Sequence, residues 1–269
     1  MRKLLIWLVA LALVAGGAGA VAEEEIVVFA AASLTETLTE IAESYMASHP
    51  GLRVLCNFDS SGTLKTQIQE GAACDLFISA AKKQMDQLDI DASPAVNTEG
   101  LDFVDRATRV DLLENKVTLA VPEGNPRGID SFDRLAALLN EGDVLLAIGN
   151  CDVPVGQYTQ KLFDYYGIDE VAVGWKLTYG SNVKEVTAQV AENSVDCGII
   201  YGTDAFSAGL RVVDEATEAM CGGRVVYPAA VLKTASNSLD AWDFLAYLQT
   251  AESAEVFARV GFTPLTGAR

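Results

Sequence analysis

This 269-residue sequence predicts an α/β fold built on mostly parallel sheets. Short apolar runs of strand character alternate with stretches of helical periodicity, the order that lays helices over both faces of a sheet. Half of the residues are apolar, enough to fill substantial cores. Several runs end in small or hydroxyl residues at a helix start, and in open α/β sheets ligands sit beyond the carboxyl ends of the strands.

The chain begins with a segment expected to lie outside the fold. Arg2 and Lys3 precede an apolar run, Leu4 to Val14, and small residues offer cleavage after Ala20 or Ala22. Residues 1–22 read as a signal peptide, too short in its apolar part to span a bilayer. The first cysteine is Cys56, far from either cleavage point, so a released protein without a lipid anchor is expected.

The predicted strands are Ile26–Phe29, Val54–Phe58, Leu76–Ser79, Val117–Val121, Val144–Ile148, Trp175–Leu177, Cys197–Tyr201 and Val225–Leu232. Predicted helices cover Leu34–Ser48, Leu64–Glu70, Lys82–Leu88, Ser131–Leu139, Gln157–Tyr166, Val183–Glu192, Leu239–Leu248 and Ala251–Val260. Pro122-Glu-Gly-Asn-Pro126 and Cys221-Gly-Gly-Arg224 are strong punctuation, placing candidate boundaries near residues 115 and 227.

The strand ends carry a recurring device. In Phe29-Ala-Ala-Ala-Ser-Leu-Thr35 a buried run delivers Ser33 to a helix start, where Ser33 and Glu36 have capping-box spacing. In Phe58-Asp-Ser-Ser-Gly-Thr-Leu64 a second run brings clustered hydroxyls, with Gly62 allowing close backbone approach. Pro154 and Gly156 frame a turn in which the amides of Val155 and Gly156 are free to donate. Ser181 or Asn182 caps the helix that starts at Val183, and Tyr201 ends a buried run with a hydroxyl that needs a partner. Helix starts offer unpaired N–H groups and the positive end of the dipole, so they hold an anion without a cation.

Composition excludes several functions. A formal charge of −18, about −20 once Arg2 and Lys3 are lost, opposes nucleic acid and anionic membrane surfaces. The single histidine, His49, lies in a Ser-His-Pro helix end and no G-x-S-x-G elbow occurs, so a serine hydrolase lacks its base. The five cysteines (56, 74, 151, 197 and 221) have no metal-ligand spacing. In an oxidising compartment one or two disulfides are open to them, with Cys151–Cys197 the favoured pair; five buried thiols is the alternative.

Taken together, these turns, with Gly71-Ala-Ala-Cys-Asp-Leu-Phe-Ile-Ser-Ala80, Val153-Pro-Val-Gly-Gln-Tyr158, Gly198-Ile-Ile-Tyr-Gly-Thr-Asp-Ala205 and the closing Tyr247 to Phe262 segment, are collinear over the mature chain. They resemble the periplasmic molybdate-binding proteins of molybdate ABC transporters. The resemblance implies a type II-like two-lobed binding protein, each lobe a mostly parallel sheet flanked by helices, with a hinge between them. Residues 23–115 and 228–269 would form one lobe and 116–227 the other. It implies no enzyme activity and no cofactor, a molybdate or tungstate oxyanion as ligand, a membrane permease as partner, and a monomer outside the cytoplasm.

Carried over residue by residue, Ser33 and Ser61 would each give a hydroxyl and an amide, Val155 and Val183 amides, and Tyr201 its hydroxyl. That is about seven donors, worth roughly 10–20 kcal/mol gross at ~1.5–3 kcal/mol each, against about 12 kcal/mol for nanomolar binding. Two positions depart from the family. It usually has alanine where Val155 stands, and often serine at Gly62, a change read here as neutral. No carboxylate is among the five, which suits ligands that only accept hydrogen bonds over phosphate. Sulfate or a small carboxylate remains the alternative ligand, although Arg106, Arg109, Arg127 and Arg134 all fall outside the ligand turns. An exported enzyme is the alternative from another class.

Overall fold

The computed structural model describes residues 24–265, so the expected signal peptide lies outside the described residues. The first strand, β1 (Glu24–Ala31), runs through a 3-10 turn at Ala32–Leu34 into α1 (Thr35–Ser48). There follow β2 (Leu52–Asp59), α2 (Ser61–Gln69), β3 (Leu76–Ile78), α3 (Lys82–Asp86), β4 (Val110–Asn115) and β5 (Val117–Val121). The middle of the chain forms α4 (Phe132–Glu141), β6 (Leu146–Gly149), α5 (Pro154–Tyr166), α6 (Glu170–Val173) and β7 (Leu177–Gly180). Next come α7 (Val183–Ala191), β8 (Cys197–Tyr201), α8 (Gly202–Ser207), β9 (Arg211–Glu215) and α9 (Glu218–Cys221). The last elements are β10 (Val225–Val231), α10 (Ser238–Tyr247), α11 (Ala251–Arg259) and β11 (Thr263–Pro264).

Two sheets result, ordered β11-β4-β10-β3-β1-β2 and β7-β6-β8-β5-β9. Each is mixed. Strands β1, β2 and β3 are mutually parallel, as are β6, β7 and β8. Strands β10 and β5 run antiparallel to both of their neighbours. The chain passes from β4 to β5 through Lys116 alone.

Apolar packing holds both layers together. The fully buried Ile26, Val28, Leu34 and Leu38 pack where α1 meets the first sheet, and Leu119, Leu146, Ile148 and Ile200 fill the second. On the other face of the first sheet, Phe29, Leu64, Ile68, Phe77, Met85 and Leu88 form a separate cluster under α2 and α3. Buried Asp75 ties this sheet to the start of α10: Oδ2 accepts from Val27 N–H at 2.7 Å, Oδ1 from Ser236 N–H at 2.7 Å and Asn237 N–H at 3.2 Å.

Local expectations needed correction at three places. Trp175 and Lys176 belong to a 3-10 turn, and the strand begins only at Leu177. Trp175 is 70% exposed, whereas the buried Lys176 ammonium caps the end of α4 through the carbonyls of Leu138 (3.1 Å) and Gly142 (2.7 Å). A polar residue with that task cannot continue an apolar strand. The Cys151–Cys197 disulfide is not formed: Cys151 is exposed in the turn before α5, Cys197 is buried in β8, and all five cysteines are free thiols. Ser33 is not an N-cap either. It lies inside the 3-10 turn, and Leu34, without a side-chain bond, precedes α1. Among the described residues no helix is long and apolar enough to cross a membrane.

Candidate ligand-binding site

The carboxyl ends of β1, β2, β3, β6, β7 and β8 converge on one small cavity between the two sheets. Its walls are Ala31, Ala32, Ser33, Ser60, Ser61, Ala80, Val153, Pro154, Val155, Val183 and Tyr201. All five residues singled out in the sequence are thus placed together. The space among these residues, counted out to its mouth, is about 200 Å³. No charged side chain contributes to the wall.

The first sheet supplies hydroxyls, and their orientation is set from behind. Asn115 Oδ1 accepts from Lys116 N–H at 2.8 Å, which turns Nδ2 toward Tyr227 Oη (3.1 Å) and Thr203 Oγ1 (2.9 Å). An amide nitrogen only donates, so Tyr227 accepts from Asn115 and passes its own proton toward Ser33 Oγ, 2.9 Å away. The Ser33 O–H is then left to donate into the cavity. Ser61 reaches the same result differently: its Oγ accepts from Ala80 N–H at 2.9 Å, leaving its proton free. Ser60, not Ser61, caps α2, accepting from Thr63 N–H at 3.1 Å.

The second sheet supplies helix starts. The first backbone bond of α5 runs from Gln157 N–H to the Val153 carbonyl at 3.0 Å, so the Val155 and Gly156 amides precede it. Asn182 caps α7, accepting from Glu185 N–H at 3.1 Å, and the Val183 amide stands ahead of the helical ladder. Tyr201 Oη is buried and has no hydrogen-bond partner within the protein. Burial and the neighbouring Tyr227 push its hydroxyl far above the usual tyrosine range, so it remains a donor. Its ring meets the edges of Tyr227 and Tyr158, at 5.9 and 6.5 Å between centroids.

Tyr227 and Asn115 escaped the sequence reading. The one available signal was a tyrosine inside the apolar run Val225–Leu232, whose buried hydroxyl needs a partner. Gly62 also plays a different part from the one expected. A Cβ there would lie 2.3 Å from the Asp152 carbonyl oxygen, on the opposite wall of the cleft. A serine is therefore not neutral at this position while the two sides are this close.

Charged contacts bridge the two sides just behind the donors. Lys184 of α7 donates to both carboxylate oxygens of Glu36 of α1 at 2.8 Å. Its ammonium is also 3.1 Å from Oδ1 of Asp204, which is buried and has no well-directed hydrogen-bond donor. Burial, only partly offset by Lys184, raises the Asp204 carboxyl to about 6. Burial alone would lower Lys184, yet Asp204 and Glu36 together leave it raised. Asn182 Nδ2 makes a longer contact, 3.4 Å, with Asp59 Oδ1 of β2.

The remaining candidates lie elsewhere. His49 ends α1, stacked on Tyr45 at 3.9 Å and exposed. Arg109 pairs with Asp86 and Asp89, Arg106 with Asp91, and Arg127 with Asp143 and Asp196. No group of His, Cys, Asp and Glu among the described residues is arranged to hold a metal ion.

Two mixed sheets joined by a chain that crosses between them, with a small uncharged donor cavity at their junction, define a two-lobed solute-binding protein. The chain belongs to the bacterial extracellular solute-binding protein family, which it matches over residues 26–263. It is 37% identical over 246 residues to the molybdate-binding protein ModA of Escherichia coli strain K12, covering 90% of each chain. It is 33% identical over 236 residues to the putative ABC transporter substrate-binding lipoprotein YvgL of Bacillus subtilis strain 168, covering 87% of this chain and 84% of that protein. The Azotobacter vinelandii periplasmic molybdate-binding protein shares the fold, with a TM-score of 0.73 at 20% identity over 88% of this chain and 98% of that one.

Proposed function

We propose that this protein captures molybdate, and tungstate with it, outside the cytoplasm and hands the oxyanion to the permease of an ABC importer. The observation that carries this reading is a small cavity whose polar lining consists of neutral donors: the Ser33 and Ser61 hydroxyls, the unpartnered Tyr201 hydroxyl, and the first amides of α5 and α7. Molybdate, tungstate and sulfate carry no proton at neutral pH and only accept hydrogen bonds. Phosphate, partly protonated, would bring a donor into a wall that offers donors. The relationship to ModA supports molybdate over sulfate.

Ser33 and Ser61 bind from one lobe, Val155, Val183 and Tyr201 from the other, so the ligand draws the lobes together. For the lobes we propose 24–115 with 225–265, and 117–215. Pairing of residues 225–227 of β10 in the first sheet supports a return slightly ahead of the expected residue 228. The family is one of solute-binding proteins and not an enzyme class. We further propose a monomer, exported with a cleaved leader and carrying no cofactor.

The test is calorimetric titration of ligand-stripped protein with molybdate, tungstate, sulfate and phosphate in one buffer. Tight one-to-one binding of the first two, with weak sulfate and no phosphate heat, is the expected result. Silence from all four sinks the oxyanion reading and brings the small-carboxylate alternative forward.

A further inference from the structure

Glu36 and Lys184 stand in opposite lobes, yet each neighbours a proposed ligand donor. Glu36 follows Ser33 by three residues, and Lys184 follows Val183 directly. The Lys184 ammonium is partly buried, bonded to both Glu36 oxygens and paired behind with Asp204, whose side chain has no exposure at all. Lys184 and Asp204 belong to one lobe and remain together however the hinge moves. Glu36 belongs to the other, so its contact with Lys184 exists only when the cleft is shut. The same holds for Asn182 with Asp59.

We propose that Lys184 and Glu36 form a latch that sets how long the ligand stays bound, by stabilising the closed cleft without touching the ligand. This rests on the oxyanion reading above. Both are positioning residues: they act through the separation of α1 and α7, whose first turns carry donors. The buried Asp204 carboxylate keeps the ammonium in place when the cleft opens, so the latch re-forms without reordering the lysine. The latch therefore acts on departure more than on arrival.

The sign of one substitution separates this role from plain electrostatics. A carboxylate this near an anion site repels the ligand, so Glu36→Gln would tighten binding if repulsion were all it did. The latch predicts the reverse. Stopped-flow and calorimetric measurements with molybdate, and with sulfate as a second probe, should show Glu36→Gln weakening binding about two- to five-fold, the range for partly exposed ion pairs. Most of the change should be a faster dissociation rate. Glu36→Lys, which opposes two ammonium groups, should exceed that loss.

Lys184→Gln alone strands the Asp204 carboxylate and endangers folding, so it is paired with Asp204→Asn. In that background Glu36→Gln should no longer weaken binding. Equal or tighter binding by Glu36→Gln in the natural background, or an undiminished loss without the ammonium, overturns the latch while leaving the oxyanion reading standing. No heat from either anion with the unmodified protein removes both.

Discussion

The two sides of the cavity hold their donors in different ways. On the first lobe every hydroxyl is already committed at one end: Ser33 to Tyr227 and through it to Asn115, Ser61 to the Ala80 amide. On the second, Tyr201 ends in a buried hydroxyl with no partner, and the α5 and α7 amides precede their helical ladders. In the proposed site, the first side is structure that also serves binding. The second holds polar groups whose desolvation the proposed ligand would offset. Preorganisation is therefore built asymmetrically, and substitutions on the two sides should divide differently between stability and affinity.

The largest effect expected is at the seam between them. Gly62→Ala puts a methyl 2.3 Å from the Asp152 carbonyl oxygen, overpacking that typically costs about 1–3 kcal/mol. Only the closed form meets this clash, so affinity should fall by roughly 5- to 150-fold while the unfolding midpoint without ligand stays put. An unchanged Kd would show that the lobes do not approach this closely when loaded.

Next are the hydroxyls. Ser33→Ala and Ser61→Ala should each weaken molybdate binding by ten-fold or more, at ~1.5–3 kcal/mol per charge-assisted bond. They should also destabilise the empty protein by about 1 kcal/mol, because Tyr227 and the Ala80 amide lose partners. Tyr201→Phe should match them in affinity but leave the empty protein as stable or more so, since it deletes an orphaned buried hydroxyl. Parallel calorimetry and denaturant titration check the division; equal destabilisation by Ser33→Ala and Tyr201→Phe would dissolve the asymmetry.

Smallest in its effect on binding is Asp204→Asn, which bears on stability. The folded carboxyl is raised to about 6 from an ordinary 3.8, so the fold favours its neutral form. Its favourable contribution is fully present below the unfolded value and is lost as pH rises through 6. Asp204→Asn should thus stabilise the protein at pH 8, by about 3 kcal/mol at most for a shift of this size, with the gain vanishing near pH 4. Thermal unfolding across that range reads it directly.

Much of this was legible in the sequence, for identifiable reasons. Apolar runs bounded by Gly, Pro and hydroxyl residues located β1, β2, β5 and β8, because buried strands leave few alternatives for such runs. The short β4 and β9 were missed: their polar stretches, Val-Asp-Leu-Leu-Glu-Asn and Arg-Val-Val-Asp-Glu, resemble loops until a neighbour pairs with them. Family resemblance brought five residues that the fold gathers at one cavity. It could not reveal Tyr227, 194 residues from Ser33, nor that Gly62 faces Asp152. Both depend on contacts between segments remote in the chain, about which local patterns are silent.

The cysteines give the chain a property of practical use. Burial pushes Cys56 and Cys221 up to about 11 and Cys74 to about 12, and Cys197 is sealed inside β8. Cys151 alone is exposed, beside Asp152 at the seam and on a groove lined also by Lys82, Lys83 and Lys161. A maleimide dye would attach there first, one residue from the carbonyl that nears Gly62. The natural sequence thus offers Cys151 as the first attachment point for an optical reporter of hinge motion, with no cysteine to add.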